Sequence, residues 1–301
     1  MIEKTNKVAV VGSGLMGTGI AHAFASSGYP TLLIDTNPEA LARAEKSIYD
    51  ILDGGVVKGK MSETQAIEAK ALLSTATDLA QTPADTSLLV ETVSEKLNIK
   101  QKVVKAAESV LNADTIIATN TSALSVTEIA SVLERPERVI GMHFFNPVHK
   151  MKLVELVLAI ATNEETIAAS RDWCEALGKT SILVNESPGL TTSRMSAMLG
   201  NEAMWMLQEG TASAEDIDIA LRMGFNHPMG PLELGDLTGW DTRLSVLQYL
   251  HSTLGEKFRP CPLIIKMVAA GRYGRKTGHG VYQYDETGKR ISGSGLKGSA
   301  L

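Results

Sequence analysis

Residues 8–17 read VAVVGSGLMG, an apolar run that leads directly into three glycines. Consecutive small and branched apolar residues are typical of a buried strand, and these glycines lie where the strand would turn into a helix. Gly12 permits the tight turn, Gly14 lets a phosphate group approach the backbone, and Gly17 lets the helix pack closely on the strand. The stretch therefore predicts a strand, turn and helix that bind phosphate at the helix N-terminus, whose N–H groups are unpaired.

An acidic residue follows this unit at the spacing expected for a dinucleotide site. The run Thr31–Ile34 predicts a second strand, and Asp35 comes directly after it, close to the ~20-residue spacing of an acid that binds ribose hydroxyls. An alternative role for Asp35 is to cap the helix that begins near Pro38. Because an acid disfavours a 2′-phosphate, the pattern predicts NAD over NADP. The predicted contacts are Gly12, Ser13, Gly14, Leu15, Met16, Gly17 and Asp35.

A helical hairpin interrupts the alternation of strands and helices. Pro38 is placed for a first helical turn, and Ser62 with Gln65 forms the sequence pattern of a capping box for a second helix. We therefore predict a hairpin over about residues 38–73. Lys58 near its tip is either a solvated surface charge or a contact for a polyphosphate substrate.

The remaining pattern divides the chain into two domains, which suits its 301 residues. Strand and helix patterns alternate up to residue 184, so we predict an α/β fold with a doubly wound, mostly parallel Rossmann-type sheet over residues 1–186. Helical patterns follow, and they predict an all-α domain over residues 187–285. Glycine, serine and charged residues without periodicity predict a flexible tail over residues 286–301.

Polar residues follow several predicted strands at the edge where ligands of such sheets bind. Glu95 and Ser122 each come just after a strand, although Ser122 is equally suited to cap a helix. His143 ends a further strand within the segment Gly141–Pro147. Its two interpretations are a buried histidine with backbone partners and an acid–base group.

Glu155 gives the histidine a possible partner. It interrupts an apolar run, and a carboxylate there is costly unless it is paired or points to solvent from an edge strand. If the two strands are neighbours, Glu155 accepts a hydrogen bond from His143 and fixes the tautomer of the ring.

Composition excludes several classes of protein. A net charge of -5 gives no basic surface for nucleic acid. Cys174 and Cys261 belong to no metal-ligand pattern, so we expect reduced thiols and no metal. The polar N-terminus is unlike a secretory signal, and the apolar run 153–161 is about half the ~20 residues of a membrane helix. We therefore expect a cytoplasmic protein without a membrane span.

The motifs in this order resemble the L-3-hydroxyacyl-CoA dehydrogenases, especially the small bacterial 3-hydroxybutyryl-CoA enzymes. The resemblance extends to about Tyr284. It is carried by the glycine turn with Asp35, Glu91–Lys100, Asn120–Ser122, Gly141–Pro147, Glu155, Ser187–Gly189, Asn226–Leu234 and Gly274–Gly278.

This resemblance implies reversible, NAD-dependent oxidation of a short L-3-hydroxyacyl-CoA to the 3-ketoacyl-CoA. It implies that His143 is the catalytic base with Glu155 as its partner, and that Ser122 touches both substrate and nicotinamide. Lys58 would lie near coenzyme A, and a homodimer would form through the helical domain. Further NAD contacts are implied for Glu95, Lys100, Asn146 and Lys276.

Ser193 departs from the family pattern. Many relatives carry at this position an asparagine that contacts the substrate oxygen, and a serine hydroxyl can also donate a hydrogen bond but reaches less far. Two other functions fit the same fold: a dehydrogenase of a hydroxy acid or sugar acid without coenzyme A, and a non-catalytic NAD-binding structural protein. The presence of both His143 and Glu155 argues against the non-catalytic protein.

Overall fold

A computed structural model describes residues 2–297 of the chain. The chain separates into two compact units, Met1–Ser187 and Pro188–Leu301. The first unit contains the sheet and the second is helical. Within residues 2–297, no helix combines the length and the apolar character that a membrane crossing requires.

One sheet of eight strands organises the first unit. The strands are β1 (Lys7–Val11), β2 (Thr31–Ile34), β3 (Leu73–Ala76), β4 (Thr86–Glu91), β5 (Ile116–Thr119), β6 (Val139–Phe144), β7 (Leu153–Leu158) and β8 (Thr180–Asn185). Their order in space is β3-β2-β1-β4-β5-β6-β7-β8. All neighbours run parallel except β6 and β7, which are antiparallel. The predicted fold class is confirmed.

Helices cover this sheet because its central strands are apolar on both faces. The helices of the first unit are α1 (Leu15–Ser26), α2 (Pro38–Val57), α3 (Glu63–Leu72), α4 (Leu97–Val110), α5 (Val126–Ala130) and α6 (Glu164–Ala176). Phe24 of α1 and Tyr29 make edge contacts with the ring of Trp173 in α6, with ring centres 5.6 and 5.1 Å apart. Helices α1 and α6 therefore pack on the same face, around one buried core.

The hairpin consists of α2 and α3, and its capping box is formed as predicted. The Ser62 hydroxyl accepts from the Gln65 N–H at 3.1 Å, and the Gln65 side chain accepts from the Ser62 N–H at 2.8 Å. Helix α2 continues to Val57, through the adjacent glycines Gly54 and Gly55. A Cβ at Gly55 would lie 3.0 Å from Met61 Sδ, so close packing at the hairpin tip offsets the low helix propensity of glycine.

Two elements were missed by the sequence patterns. Strand β3 has only four residues and follows α3 without a turn residue between them, yet it pairs in parallel with β2. In the helical unit, Pro231–Thr238 forms a helix that ends at Gly239, where φ is +95°. Its glycine-rich surroundings conceal a helix that a proline at its first turn could have indicated.

The second unit contains α7 (Thr192–Glu209), α8 (Ala214–Gly224), α9 (Pro231–Thr238), α10 (Trp240–Leu254) and α11 (Pro262–Ala269). Asp236 of α9 is buried at their centre. Its carboxylate accepts hydrogen bonds from the N–H groups of Val281 and Tyr282, the indole of Trp240 and the hydroxyl of Tyr284. This carboxylate therefore fixes the segment that follows α11.

Part of the segment that we predicted as a flexible tail makes hydrogen bonds to the rest of the helical unit. The N–H groups of Ile291 and Leu296 donate to the carbonyls of Gln283 and Val281, and the Gly295 N–H donates to Glu215 Oε1 at 3.0 Å. These hydrogen bonds connect the segment to the helical unit, and its flexibility stays a prediction. The prediction for residues 298–301 lies outside the described residues.

Candidate active site

Strand direction brings His143 and Glu155 to one edge of the sheet. Strand β6 is parallel to β5, so His143 lies near the carboxyl edge of the parallel strands. Strand β7 runs the other way, and its third residue, Glu155, lies directly opposite His143 in the register. The neighbouring strands that we stated as a condition are therefore present.

The two side chains form a buried pair. His143 Nδ1 lies 2.8 Å from Glu155 Oε2, and the residues are 8% and 0% exposed. The Phe145 ring lies 4.6 Å from the imidazole, between ring centres. A carboxylate that accepts from Nδ1–H fixes the tautomer in which Nε2 exchanges a proton with a ligand. The predicted contact is confirmed, and the catalytic role of the pair stays a prediction.

Glu95 and Ser122 are also brought together. Glu95 Oε1 accepts from the Ser122 N–H at 2.9 Å and from the Ala123 N–H at 3.2 Å, as well as from the Thr121 hydroxyl. Burial opposes ionisation of Glu95, but these donors and Lys100 hold its pKa below the usual range. Ser122 does not cap α5, because Ser125 does so.

Lys100 lies behind Glu95. The lysine is 1% exposed, and its ammonium is 3.0 Å from Glu91 Oε1 and 3.2 Å from Glu95 Oε2. The structure turns the ammonium toward these two carboxylates. The contact of Lys100 with NAD stays a prediction. Asn120, which we did not single out as a site residue, accepts from the Phe144 N–H at 2.9 Å and ties the end of β5 to the end of β6. A polar residue directly after a buried strand was the available signal.

The glycine turn is shaped to receive phosphate. Gly12 has φ of +103°, and a Cβ on Gly17 would lie 1.8 Å from the Gly12 carbonyl oxygen. A Cβ on Gly14 would meet nothing within 4 Å, so the space beside the turn is open. Gly14 is the N-cap of α1 and provides no side-chain cap, which leaves the first N–H groups of the helix for an anion.

Asp35 lies beside this turn, at the edge of a groove of about 580 Å³. Its Oδ2 accepts from the N–H and the hydroxyl of Ser13, both at 2.8 Å. Burial opposes ionisation, but these bonds and one from the Asn37 N–H hold the pKa of Asp35 below its usual value. Asn37, not Asp35, is the N-cap of α2. The groove and the ionised carboxylate fit the adenosine half of NAD.

A basic cluster, which we define as Lys58, Lys60, His149 and Lys150, lies at the hairpin tip. Burial lowers the pKa of His149, and the charges of Lys150, Lys60, Lys179 and Lys58 lower it further. The turn that carries His149 is therefore near enough to the turn between α2 and α3 for their charges to interact. Sequence reasoning missed His149, although a histidine and a lysine directly after the Asn-Pro turn were visible.

The other predicted site residues are placed as follows. Asn146 is exposed two residues after the end of β6 and precedes Pro147 through a cis peptide bond. In the helical unit, Ser193 belongs to the first turn of α7. Lys276 lies in a short 3-10 helix, Arg275–Thr277, and its ammonium is 2.7 Å from Asp241 Oδ2.

Comparison with known proteins gives a consistent result over nearly the whole chain. The family model "3-hydroxyacyl-CoA dehydrogenase, NAD binding domain" matches residues 7–187, and the model of the C-terminal domain of the same family matches residues 189–284.

Individual relatives agree. The chain is 42% identical over 281 residues to a probable 3-hydroxybutyryl-CoA dehydrogenase of Bacillus subtilis, covering 93% of this chain and 98% of that protein. It is 36% identical over 285 residues to the mitochondrial hydroxyacyl-coenzyme A dehydrogenase of Sus scrofa, covering 92% and 90%. The crystal structure of (S)-3-hydroxybutyryl-CoA dehydrogenase from Ralstonia eutropha aligns with a TM-score of 0.89 at 39% identity, covering 94% of this chain and 100% of that one.

Proposed function

The chain belongs to the 3-hydroxyacyl-CoA dehydrogenase family, and we propose that it interconverts a short L-3-hydroxyacyl-CoA and the 3-ketoacyl-CoA with NAD. The expected substrate is 3-hydroxybutyryl-CoA. The observation that carries this proposal is the buried contact of 2.8 Å between His143 Nδ1 and Glu155 Oε2. It lies on the sheet whose glycine turn fits a dinucleotide.

The coenzyme, when bound, supplies the nicotinamide ring that exchanges a hydride with C3 of the substrate. The N-terminus of α1 would hold its pyrophosphate, since Gly14 leaves open space beside the first N–H groups of the helix. Asp35 accepts hydrogen bonds from the adenosine ribose and repels a 2′-phosphate. Glu95 holds the Ser122 loop, residues 120–125 between β5 and α5, in place. Ser122 would meet both ligands there.

His143 moves the proton. As the hydride leaves C3, Nε2 takes the proton from the 3-hydroxyl group, so that the alcohol becomes a ketone. Glu155 stabilises the imidazolium that forms and keeps the ring oriented. In the reverse direction the imidazolium returns the proton to the oxygen. Ser193 and Lys276 enter the proposal through the family resemblance, as donors to the substrate oxygen and to NAD.

The basic cluster favours a substrate that carries coenzyme A. Lys58 and Lys60 are exposed at the hairpin tip, and after burial and Lys150 their charges also lower the pKa of His149. Such a cluster attracts the phosphates of coenzyme A. A hydroxy acid or sugar acid without phosphates would gain little from it.

A homodimer forms through the helical unit in this proposal. Met223 and Phe225, at the end of α8, are 73% and 74% exposed, and Ile219 lies one turn earlier on the same helix. An apolar surface of this kind on a helical unit is typical of a protein interface.

The test of the proposed chemistry is His143→Gln. We expect the rate of NADH oxidation with acetoacetyl-CoA to fall by about 100- to 10,000-fold, the usual effect of losing a positioned acid–base group. Near-normal turnover in this variant would contradict the assignment. The matched control is His251→Gln, because His251 also contacts a carboxylate, Glu256, at 2.9 Å but on the surface of the helical unit. Its turnover should stay near that of the unmodified chain.

A further inference from the structure

Glu91, Lys100 and Glu95 form a group of charges beneath the Ser122 loop. The proposed chemistry gives no role to Glu91. Glu91 ends β4 and is 0% exposed. Lys100 of α4 lies against it, with Nζ 3.0 and 3.2 Å from the two carboxylate oxygens. Lys100 also contacts Glu95 Oε2 at 3.2 Å.

Every polar atom at the centre of this group has a partner. Glu91 Oε1 also accepts from the Val93 N–H, and Oε2 accepts from the Thr119 hydroxyl, both at 2.6 Å. The ammonium of Lys100 has three protons, and it faces Glu91, Glu95 and the Val93 carbonyl. Glu91, which is itself held by Val93 and Thr119, therefore fixes the position of the Lys100 ammonium.

The contacts continue to the proposed coenzyme site. Lys100 holds one oxygen of Glu95, which leaves the other to accept from the N–H groups of Ser122 and Ala123. A well-packed apolar pair fills a core as well as a buried ion pair does, and often gives equal or greater stability. The ion pair of Glu91 and Lys100 adds orientation, because it fixes the direction in which the carboxylate of Glu95 points.

We propose that Glu91 is a positioning residue for the coenzyme, acting through Lys100 on Glu95 and through Glu95 on the Ser122 loop. The inference rests on the proposed function, since it takes Glu95 and Ser122 as coenzyme contacts. Glu91 itself touches no ligand.

The test compares NADH affinity with stability in three variants: Glu91→Gln, Lys100→Met and the double variant. Affinity is measured by NADH fluorescence and stability by urea unfolding. Each single variant should weaken NADH binding about tenfold. The double variant should bind no more weakly than Lys100→Met, because Glu91 acts through that lysine. It should nevertheless be more stable than Lys100→Met, which leaves a buried carboxylate unpaired.

A purely structural role predicts a different result. If affinity recovers together with stability in the double variant, the proposal is wrong. Thr119→Val is a milder variant that removes one donor from Glu91 and keeps all charges, and it should weaken NADH binding about threefold. Unchanged binding in Thr119→Val and in any Glu91→Gln that folds would also overturn the proposal.

The matched control is Asp218→Asn, which neutralises a buried carboxylate of the helical unit that accepts from the N–H groups of Leu232 and Glu233. It should lower stability and leave NADH affinity within twofold, whereas an equal loss of affinity would show that any destabilised variant binds NADH poorly. The readout is independent of the acyl substrate. If the chain binds NADH but does not act on acyl-CoA, the proposed function fails while this comparison still decides the role of Glu91.

Discussion

A histidine paired with a carboxylate does not by itself identify an active site. Residues 2–297 include two such pairs at nearly equal distances, 2.8 Å for His143 with Glu155 and 2.9 Å for His251 with Glu256. Only the pair of His143 is buried and lies on the sheet that carries the glycine turn. Burial strengthens the hydrogen bond and excludes competing water, so the first pair can orient an imidazole while the second is an exposed contact.

Lys58 distinguishes an acyl-CoA substrate from a free hydroxy acid. For Lys58→Gln we expect the KM for acetoacetyl-CoA to rise about threefold, the effect of an exposed charge on a phosphate, with little change in kcat. The KM for the acetoacetyl-pantetheine thioester, which lacks the phosphates, should stay the same. Lys105→Gln makes the same change of charge at an exposed position of α4 and serves as the control. An unchanged KM for the CoA substrate would favour the alternative without coenzyme A.

His22 of α1 should make stability depend on pH. It is buried, and its Nδ1 has no hydrogen-bond partner among the described residues. Burial lowers its pKa to about 4, and the charges of His149 and Lys179 contribute to the shift. The unfolded chain, with a histidine pKa of about 6.5, therefore binds a proton in this range that the folded chain rejects.

This difference in pKa makes the folded state less stable at lower pH. The free energy of unfolding should fall as pH decreases from about 6.5 to about 4, by up to about 3 kcal/mol. His22→Leu removes this contribution, so the fall should be smaller in the variant than in the unmodified chain when both are measured by urea unfolding. Identical pH profiles would show that His22 is protonated equally in both states.

At the scale of the element, two glycines of the turn between β1 and α1 have different roles. A Cβ at Gly17 would overlap the Gly12 carbonyl oxygen, whereas one at Gly14 would meet open space. We expect Gly17→Ala to lower the free energy of unfolding by roughly 1–3 kcal/mol, since the helix must move away from the strand. NADH affinity should fall with it.

Gly14→Ala is the matched comparison. It should change the free energy of unfolding by no more than about 1 kcal/mol, yet weaken NADH binding at least tenfold, because the methyl group occupies the space for the pyrophosphate. Urea unfolding and NADH fluorescence measure the two effects separately. If Gly14→Ala binds NADH normally, the proposed place of the pyrophosphate is wrong.

At the scale of the whole molecule, the exposed end of α8 should decide the oligomeric state. For Met223→Glu we expect the mass in sedimentation equilibrium to fall to the 32.2 kDa of one chain, because a charge cannot be buried in an apolar interface without a partner. Ile67→Glu places the same charge on an exposed apolar residue of the first unit and should leave the proposed dimer intact. A dimer that persists in Met223→Glu would place the interface elsewhere.

The sequence by itself determined the local features of this protein. The glycine turn, the acid after β2 and the capping box of α3 depend on residues close together in the chain, and on steric and hydrogen-bonding rules that hold in any fold. The order of the motifs was also sufficient to indicate the family. The patterns missed strand β3 because it has only four residues and follows α3 without a turn residue, and they missed helix α9 because its surroundings are rich in glycine.

Only the tertiary structure decided how distant residues meet. The sequence left the pairing of His143 with Glu155 conditional on strand order, and the antiparallel return of β7 places them opposite each other. The resemblance also implied a coenzyme contact for Lys100, which stays a prediction, and the fold adds that its ammonium lies between Glu91 and Glu95. These outcomes depend on strand direction, register and burial, which arise from the packing of the whole unit and are not written in any short stretch of the chain.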